Sequence, residues 1–129
     1  MEPLIIKATS DTPYICLDKG NGKFEIMGVS LPSNIFEFYE PVLEWLHNYS
    51  SDPNNETVLK LQFDYLNSSS TKMLHNIITT VEHILNNGQH VVVNWYYEHG
   101  DSEMKEMGED FASNCNVPFR MIASKQTQL

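Results

Sequence analysis

Thr57-Val58-Leu59-Lys60-Leu61-Gln62-Phe63-Asp64-Tyr65-Leu66 runs without a break into Asn67-Ser68-Ser69-Ser70-Thr71-Lys72. The first part reads as a strand, apolar at every second or adjacent position from Val58 to Phe63, as a strand near a sheet centre is. The second part opens a helix over Ser69 to Asn86, with Leu74, Ile77, Ile78, Val81, Ile84 and Leu85 as its buried stripe. Asn87-Gly88 stops it. A strand feeding straight into a helix is the unit of an α/β protein, and four consecutive hydroxyl side chains occupy the junction. In such folds this junction lies where ligands and partners bind. A helix start also presents unpaired N–H groups and a partial positive charge, which favour a phosphate.

The alternation continues toward the C-terminus. Val91-Val92-Val93-Asn94-Trp95-Tyr96-Tyr97 is dense in β-branched and aromatic residues and reads as a strand. Ser102 to Asn114 reads as a third helix with a sparse stripe of Met104, Met107, Phe111 and Cys115. Pro118 to Ala123 closes as a strand. Upstream, short strands are expected over residues 4 to 8, 13 to 18 and 23 to 29, with Asp18-Lys19-Gly20-Asn21-Gly22-Lys23 as a hairpin turn. A first helix begins at Ser33 or Asn34, either a good N-cap. Its stripe is Ile35, Phe36, Phe38, Tyr39, Val42, Leu43, Trp45 and Leu46, and Pro41 inside it is expected to kink the helix. The order is β-β-β-α-β-α-β-α-β. It implies a mixed α/β sheet, parallel in its second half with right-handed crossovers and antiparallel at its opening hairpins. One domain over residues 1–129 is expected, since the turn cluster from Asn48 to Asn55 is too short for a linker, and Ser124 to Leu129 are expected to fray.

The 129 residues suffice for one core, and a 41% hydrophobic fraction is ordinary for a globular protein. The formal charge of −9, with eight basic residues in no stripe, argues against nucleic acid and anionic membranes as partners. No apolar run approaches the ~20 residues that span a bilayer. Met1 to Lys7 lacks the basic and apolar regions of a signal peptide, so a cytoplasmic protein is expected. Cys16 and Cys115 stand far apart in no metal or redox spacing and are expected to be reduced and partly buried. The Asn-x-Ser/Thr triplets at Asn48, Asn55 and Asn67 are then chance matches.

A helix needs one N-cap, worth about 1 kcal/mol, rather than four adjacent hydroxyls. Phosphorylation would add about −1.5 to −2 charge there, and the helix N-terminus and Lys72 would tolerate it. Such a charge can switch partner binding without unfolding the protein. A nucleophilic serine is disfavoured, because the Gly-x-Ser-x-Gly elbow is missing and His75 lies about a turn and a half beyond Ser69. No catalytic residues are assigned. The histidines His47, His75, His83, His90 and His99 form no His-x-x-x-His pair, and no metal site or cofactor is assigned. Trp95-Tyr96-Tyr97 ends a strand parallel to the one before the serines. It therefore reads either as core and sheet end or as an aromatic docking patch beside them. Glu98, Asp101, Glu103, Glu106, Glu109 and Asp110 read either as a solvated face or as an acidic docking surface.

Five segments in order carry a family resemblance: Phe38 to Leu46, Asp64 to Ser70, Val93 to Tyr97, Gly108 to Phe111, and Pro118-Phe119. Together they resemble the SiaC family of bacterial regulatory phosphoproteins. The resemblance implies a STAS-like fold, the anti-anti-sigma-factor type. It implies phosphorylation just after the Asn of a Tyr-x-Asn-[Thr/Ser]-Ser-Ser motif, which is Ser68 here. The best-matching form of that motif carries Thr at this position, so Ser69, Ser70 and Thr71 stand as alternative acceptors. A Ser/Thr kinase with a histidine-kinase-like ATPase fold would add the phosphate, and a PP2C-type phosphatase would remove it. The unmodified protein would bind and activate a diguanylate cyclase, controlling cyclic-di-GMP and biofilm formation. The expected partner-binding residues are Tyr65, Asn67, Ser68, Ser69, Lys72, Trp95 and Tyr97. Two other readings compete: an anti-anti-sigma factor that binds an anti-sigma factor, and a small hydrolase.

Overall fold

The computed structural model describes residues 1–124. Its elements follow the expected order: β1 (Leu4–Ile6), β2 (Tyr14–Asp18), β3 (Lys23–Ser30), α1 (Ile35–Ser50), β4 (Glu56–Leu66), α2 (Ser68–Asn86), β5 (His90–Glu98), α3 (Ser102–Ser113) and β6 (Phe119–Ser124). The fraying expected of the C-terminal residues falls, past Ser124, outside the described residues. All six strands join one sheet in sequential order. β1, β2 and β3 pair antiparallel, and β3 through β6 pair parallel. This is the mixed α/β sheet with three helices that the alternation implied.

Each parallel crossover steps one strand in the same direction, and right-handed crossovers then place all three helices on one face. The register shows that face directly. Leu4, Leu17, Phe24, Leu59, Val93 and Phe119 align across the six strands. Beside them run Ile6, Ile15, Ile26, Leu61, Trp95 and Met121. Helix α1 covers the β3 side of these rows with Tyr39, Val42, Trp45, Leu46 and Tyr49. The Phe24 ring lies 4.9 Å from that of Tyr49, which stacks on Trp45 at 5.4 Å. Helix α3 covers the β5 side. Its Gly108 comes so close to β5 that a Cβ there would stand 2.5 Å from Trp95 Cδ1 and Nε1.

Two local expectations need correction. β1 stops at Ile6 rather than residue 8, because Thr9 folds the chain back: its N–H donates to Thr12 O at 2.9 Å and its hydroxyl accepts from Thr12 N at 3.0 Å. Helix α1 includes Pro41 within its span, with the ring on the exposed side. Phe36 is not in the α1 stripe but 70% exposed. It falls on the row of Glu40, Leu43 and His47, about a quarter-turn from the buried row of Tyr39, Val42, Leu46 and Tyr49. Both cysteines are free, Cys16 buried and Cys115 half-buried, with burial pushing the Cys115 thiol above its ordinary pKa.

Candidate functional site

The junction after β4 is shaped by a register slip. Gly28 pairs with Phe63 but Val29 pairs with Tyr65, so Asp64 is an extra residue opposite the Gly28–Val29 step. Gly28 takes φ +122°, a region closed to most side chains. The slip breaks the alternation of β4. Asp64 and Tyr65 are both exposed, Tyr65 at 54%, while Leu66 returns to the core. An aromatic side chain is thereby turned outward three residues before α2 begins.

Asn67, not a hydroxyl residue, caps that helix. Its backbone is extended at φ −85° and ψ 173°, and its Oδ1 accepts from Ser70 N at 2.8 Å. Its carbonyl accepts from both Thr71 N at 3.0 Å and Thr71 Oγ1 at 3.1 Å. Helix α2 therefore begins at Ser68, one residue earlier than expected, and the four hydroxyls are free of the capping role. Ser68 and Ser69 are exposed, and Lys72 is exposed one turn on. No acidic residue occupies the first turn of α2. The partial positive charge of the helix start thus faces solvent with no carboxylate beside it.

Ser70 points the other way. It is 1% exposed, and its hydroxyl donates to Ser30 O at 2.9 Å. Ser30 Oγ lies 2.7 Å from Ser70 Oγ and 2.5 Å from Tyr39 OH. A hydroxyl has one proton. With Ser70 donating to the carbonyl, Ser30 must donate to Ser70, and Tyr39 must donate to Ser30. This sealed chain ties the end of β3, α1 and the start of α2 together. Burial holds the Tyr39 phenol above its ordinary pKa, although its hydroxyl partners pull the other way. Ser70 is thus withdrawn as an accessible phosphate acceptor. Thr71 is half-buried with its hydroxyl already committed to Asn67 O, which leaves Ser68 and Ser69 as the open hydroxyls.

Trp95 is also corrected. At 1% exposure it packs against Phe63, Phe111 and Phe119, and its Nε1 donates to Met104 O at 3.0 Å. It fastens α3 to the sheet and offers no docking surface. Tyr97 is half-buried and lines a shallow cleft with His99, Lys105 and Ala123 at the end of β5. Tyr65, Asn67, Ser68, Ser69 and Lys72 share the β4–α2 junction, whereas Trp95 is sealed in the core.

Beside the cluster, α2 and α3 enclose a groove of about 390 Å³ lined by Thr71, His75, Glu103, Glu106, Met107 and Asp110, among others. The His75 ring packs 4.6 Å from that of Phe111. Three residues of the acidic stretch thus rim a groove whose edge carries Thr71, while Asp101 caps α3 by accepting from Met104 N at 3.0 Å. The part Ser30 plays was missed at the sequence level, Gly108 entered only as part of a family segment, and Phe36 was assigned to the buried stripe. Phe36 carried a contrary signal, since its row on α1 holds Glu40 and His47. Among the described residues, no three His, Cys, Asp or Glu side chains are grouped to hold a metal, and no helix is long and apolar enough to cross a membrane.

Comparison with known proteins agrees with this geometry. The family model described as SiaC family regulatory phosphoprotein matches residues 6–124. An uncharacterised protein of Pseudomonas aeruginosa strain UCBPP-PA14 is 31% identical over 123 residues, spanning 95% of this chain and 98% of that one. The structure of SiaC of Pseudomonas aeruginosa superposes with a TM-score of 0.88 at 31% identity, covering 96% of this chain and all of that one. The crystal structure of the diguanylate cyclase SiaD in complex with its activator SiaC, from the same organism, contains a chain matching with a TM-score of 0.89. That chain is 30% identical, covering 94% of this chain and 99% of its own length.

Proposed function

The chain belongs to the SiaC family of regulatory phosphoproteins, and on that premise we propose that it is a non-catalytic binding module that activates a diguanylate cyclase. Phosphorylation of Ser68 switches the activation off. One observation carries the site assignment: with Asn67 as the cap and Ser70 sealed inside, Ser68 and Ser69 are exposed hydroxyls with no structural task at a helix start that lacks a carboxylate, and Ser68 is the one that directly follows Asn67 as the family motif requires. A phosphate there gains from the helix N-terminus and from Lys72 nearby, so the fold survives the modification. Tyr65, 54% exposed beside it, supplies an apolar contact for the partner. Docked over Tyr65 and Ser68, a partner would have to desolvate the new dianion, and binding is lost.

The whole chain acts as one unit in the cytoplasm. A Ser/Thr kinase with a histidine-kinase-like ATPase fold adds the phosphate, and a PP2C-type phosphatase removes it. His75, the next histidine along α2, lies two turns beyond Ser68 and packs on Phe111, so it is not placed as a base for that hydroxyl. The test is cyclase output in a purified mixture. Wild type and Ser68→Ala raise cyclic-di-GMP synthesis, whereas Ser68→Asp and the kinase-treated protein do not. A cyclase indifferent to the unmodified protein defeats the partner assignment. Equal activation by all four forms defeats the switch at Ser68.

A further inference from the structure

All three helices cover one face of the sheet, and the other is left without a layer. On it, Ile5, Cys16, Glu25, Lys60, Asn94 and Arg120 align across the six strands. A second row, Tyr14, Met27, Gln62, Tyr96 and Ile122, lies beside it. The charges of the first row are unpaired. Lys60 Nζ sits over the Tyr96 ring, 4.9 Å from its centroid, rather than on a carboxylate. The one ion pair within 4.0 Å among the described residues is Lys19–Asp52, and neither residue belongs to these rows. Between Lys60 and Arg120 stands Asn94, whose Oδ1 is buried without a hydrogen-bond donor, a costly state in a native fold.

We infer that this open face is the interface of a symmetric dimer, in which Glu25 of each copy meets Arg120 of the other and Lys60 meets Asn94. A two-fold axis lying between two stacked sheets, parallel to the strands and midway between β4 and β5, sets β3 over β6 and β4 over β5. The acidic end of one row then covers the basic end of the other, and the orphaned Asn94 carbonyl faces an ammonium donor. Met27 is set over Ile122, and Gln62 over Tyr96. An axis through β4 would stack Lys60 on Lys60, and one through β5 would stack Lys60 on Arg120, so the charges select the register. Aligned sheets cross at about −30°, which displaces Glu25 and Arg120 by only about 3–4 Å, within reach of both side chains. Because the axis runs along the strands, both copies carry their strand ends at the same end of the dimer. Ser68 and Tyr65 of each therefore point the same way, clear of the interface, toward a partner that is itself two-fold.

The test is sedimentation equilibrium of the purified chain across a concentration series and at two salt concentrations. Wild type associates to a dimer that weakens as salt rises, since the Glu25–Arg120 contacts lie toward the rim. Each substitution acts twice in an isologous interface. Glu25→Arg and Arg120→Glu should therefore each weaken dimerisation at least about tenfold, and the double variant should recover to within about threefold of wild type. Both positions sit on a solvent-facing row, and thermal unfolding of each variant checks that it remains folded. A wild-type chain monomeric at its highest soluble concentration overturns the inference. A dimer indifferent to salt, or one unaffected by either swap, also overturns it, as does a double variant no better than the singles.

Discussion

Replacing Ser70 with Ala separates structure from switching. The wild-type hydroxyl is 1% exposed, donates to Ser30 O at 2.9 Å and accepts from Ser30 Oγ at 2.7 Å. Alanine removes both. Ser30 O keeps a partner, because Asn67 N donates to it at 3.3 Å. The Ser30 hydroxyl proton does not: Tyr39 already donates to that oxygen, and one buried O–H is left without an acceptor. An orphaned buried donor costs about 1–3 kcal/mol, and alanine returns about 0.5 kcal/mol through helix propensity. The net loss is about 1.5 kcal/mol. For 129 residues the unfolding entropy is about 270 cal/mol/K, so the Tm should fall by about 5–6 °C. Phosphate uptake should be unchanged, since this hydroxyl is sealed. The assay is thermal unfolding by circular dichroism, paired with intact-mass spectrometry of kinase-treated protein. A Ser70→Ala protein that melts with wild type refutes the hydroxyl chain. Phosphate uptake that vanishes in Ser70→Ala but persists in Ser68→Ala refutes the assignment of the open serine.

Gly108→Ala should destabilise by about 1–2 kcal/mol although alanine is the better helix former, because its Cβ would stand 2.5 Å from the buried Trp95 indole; a rise in Tm would show that α3 can retreat from β5. Asn67→Ala should cost about 1 kcal/mol by removing the cap, while Asn67→Asp keeps it, and equal melting of the two variants would discount the Oδ1 bond to Ser70 N. The raised pKa of Tyr39 has a defined sign. Above about pH 10 the unfolded chain releases this proton and the folded chain does not, so stability is flat below that pH and falls as pH rises beyond it. Denaturant titrations of Tyr39→Phe should lose less stability over the alkaline range than wild type, and identical slopes would contradict the buried phenol.

Element order and sheet type were legible because periodicity is a local record of burial. The run from Val58 to Phe63 and the β-branched run from Val91 to Val93 announce central parallel strands, and Asp18 to Lys23 announces a hairpin. The hydroxyl cluster was legible as a strand-to-helix junction for the same reason: strand and helix patterns meet there. What each hydroxyl does was not, because Ser68, Ser69 and Ser70 are chemically alike. Their fates diverge through about 100° of helix rotation per residue, once Asn67 has taken the cap.

By itself, then, the sequence determined which segments are strands and helices, their order, and the family to which the chain belongs, since these depend on patterns within a few residues. Tertiary structure decided that Ser70 is sealed while Ser68 and Ser69 stay open, that Trp95 is a fastener rather than a platform, and that Tyr65 turns outward at a slipped register. Each of these depends on a neighbour far along the chain. Ser30 reaches Ser70 across forty positions, Gly108 admits the Trp95 ring, and the Gly28–Val29 step of β3 leaves Asp64 of β4 as the extra residue. No local pattern encodes such contacts; they exist only once the sheet has closed and packing has chosen which side of each element faces inward.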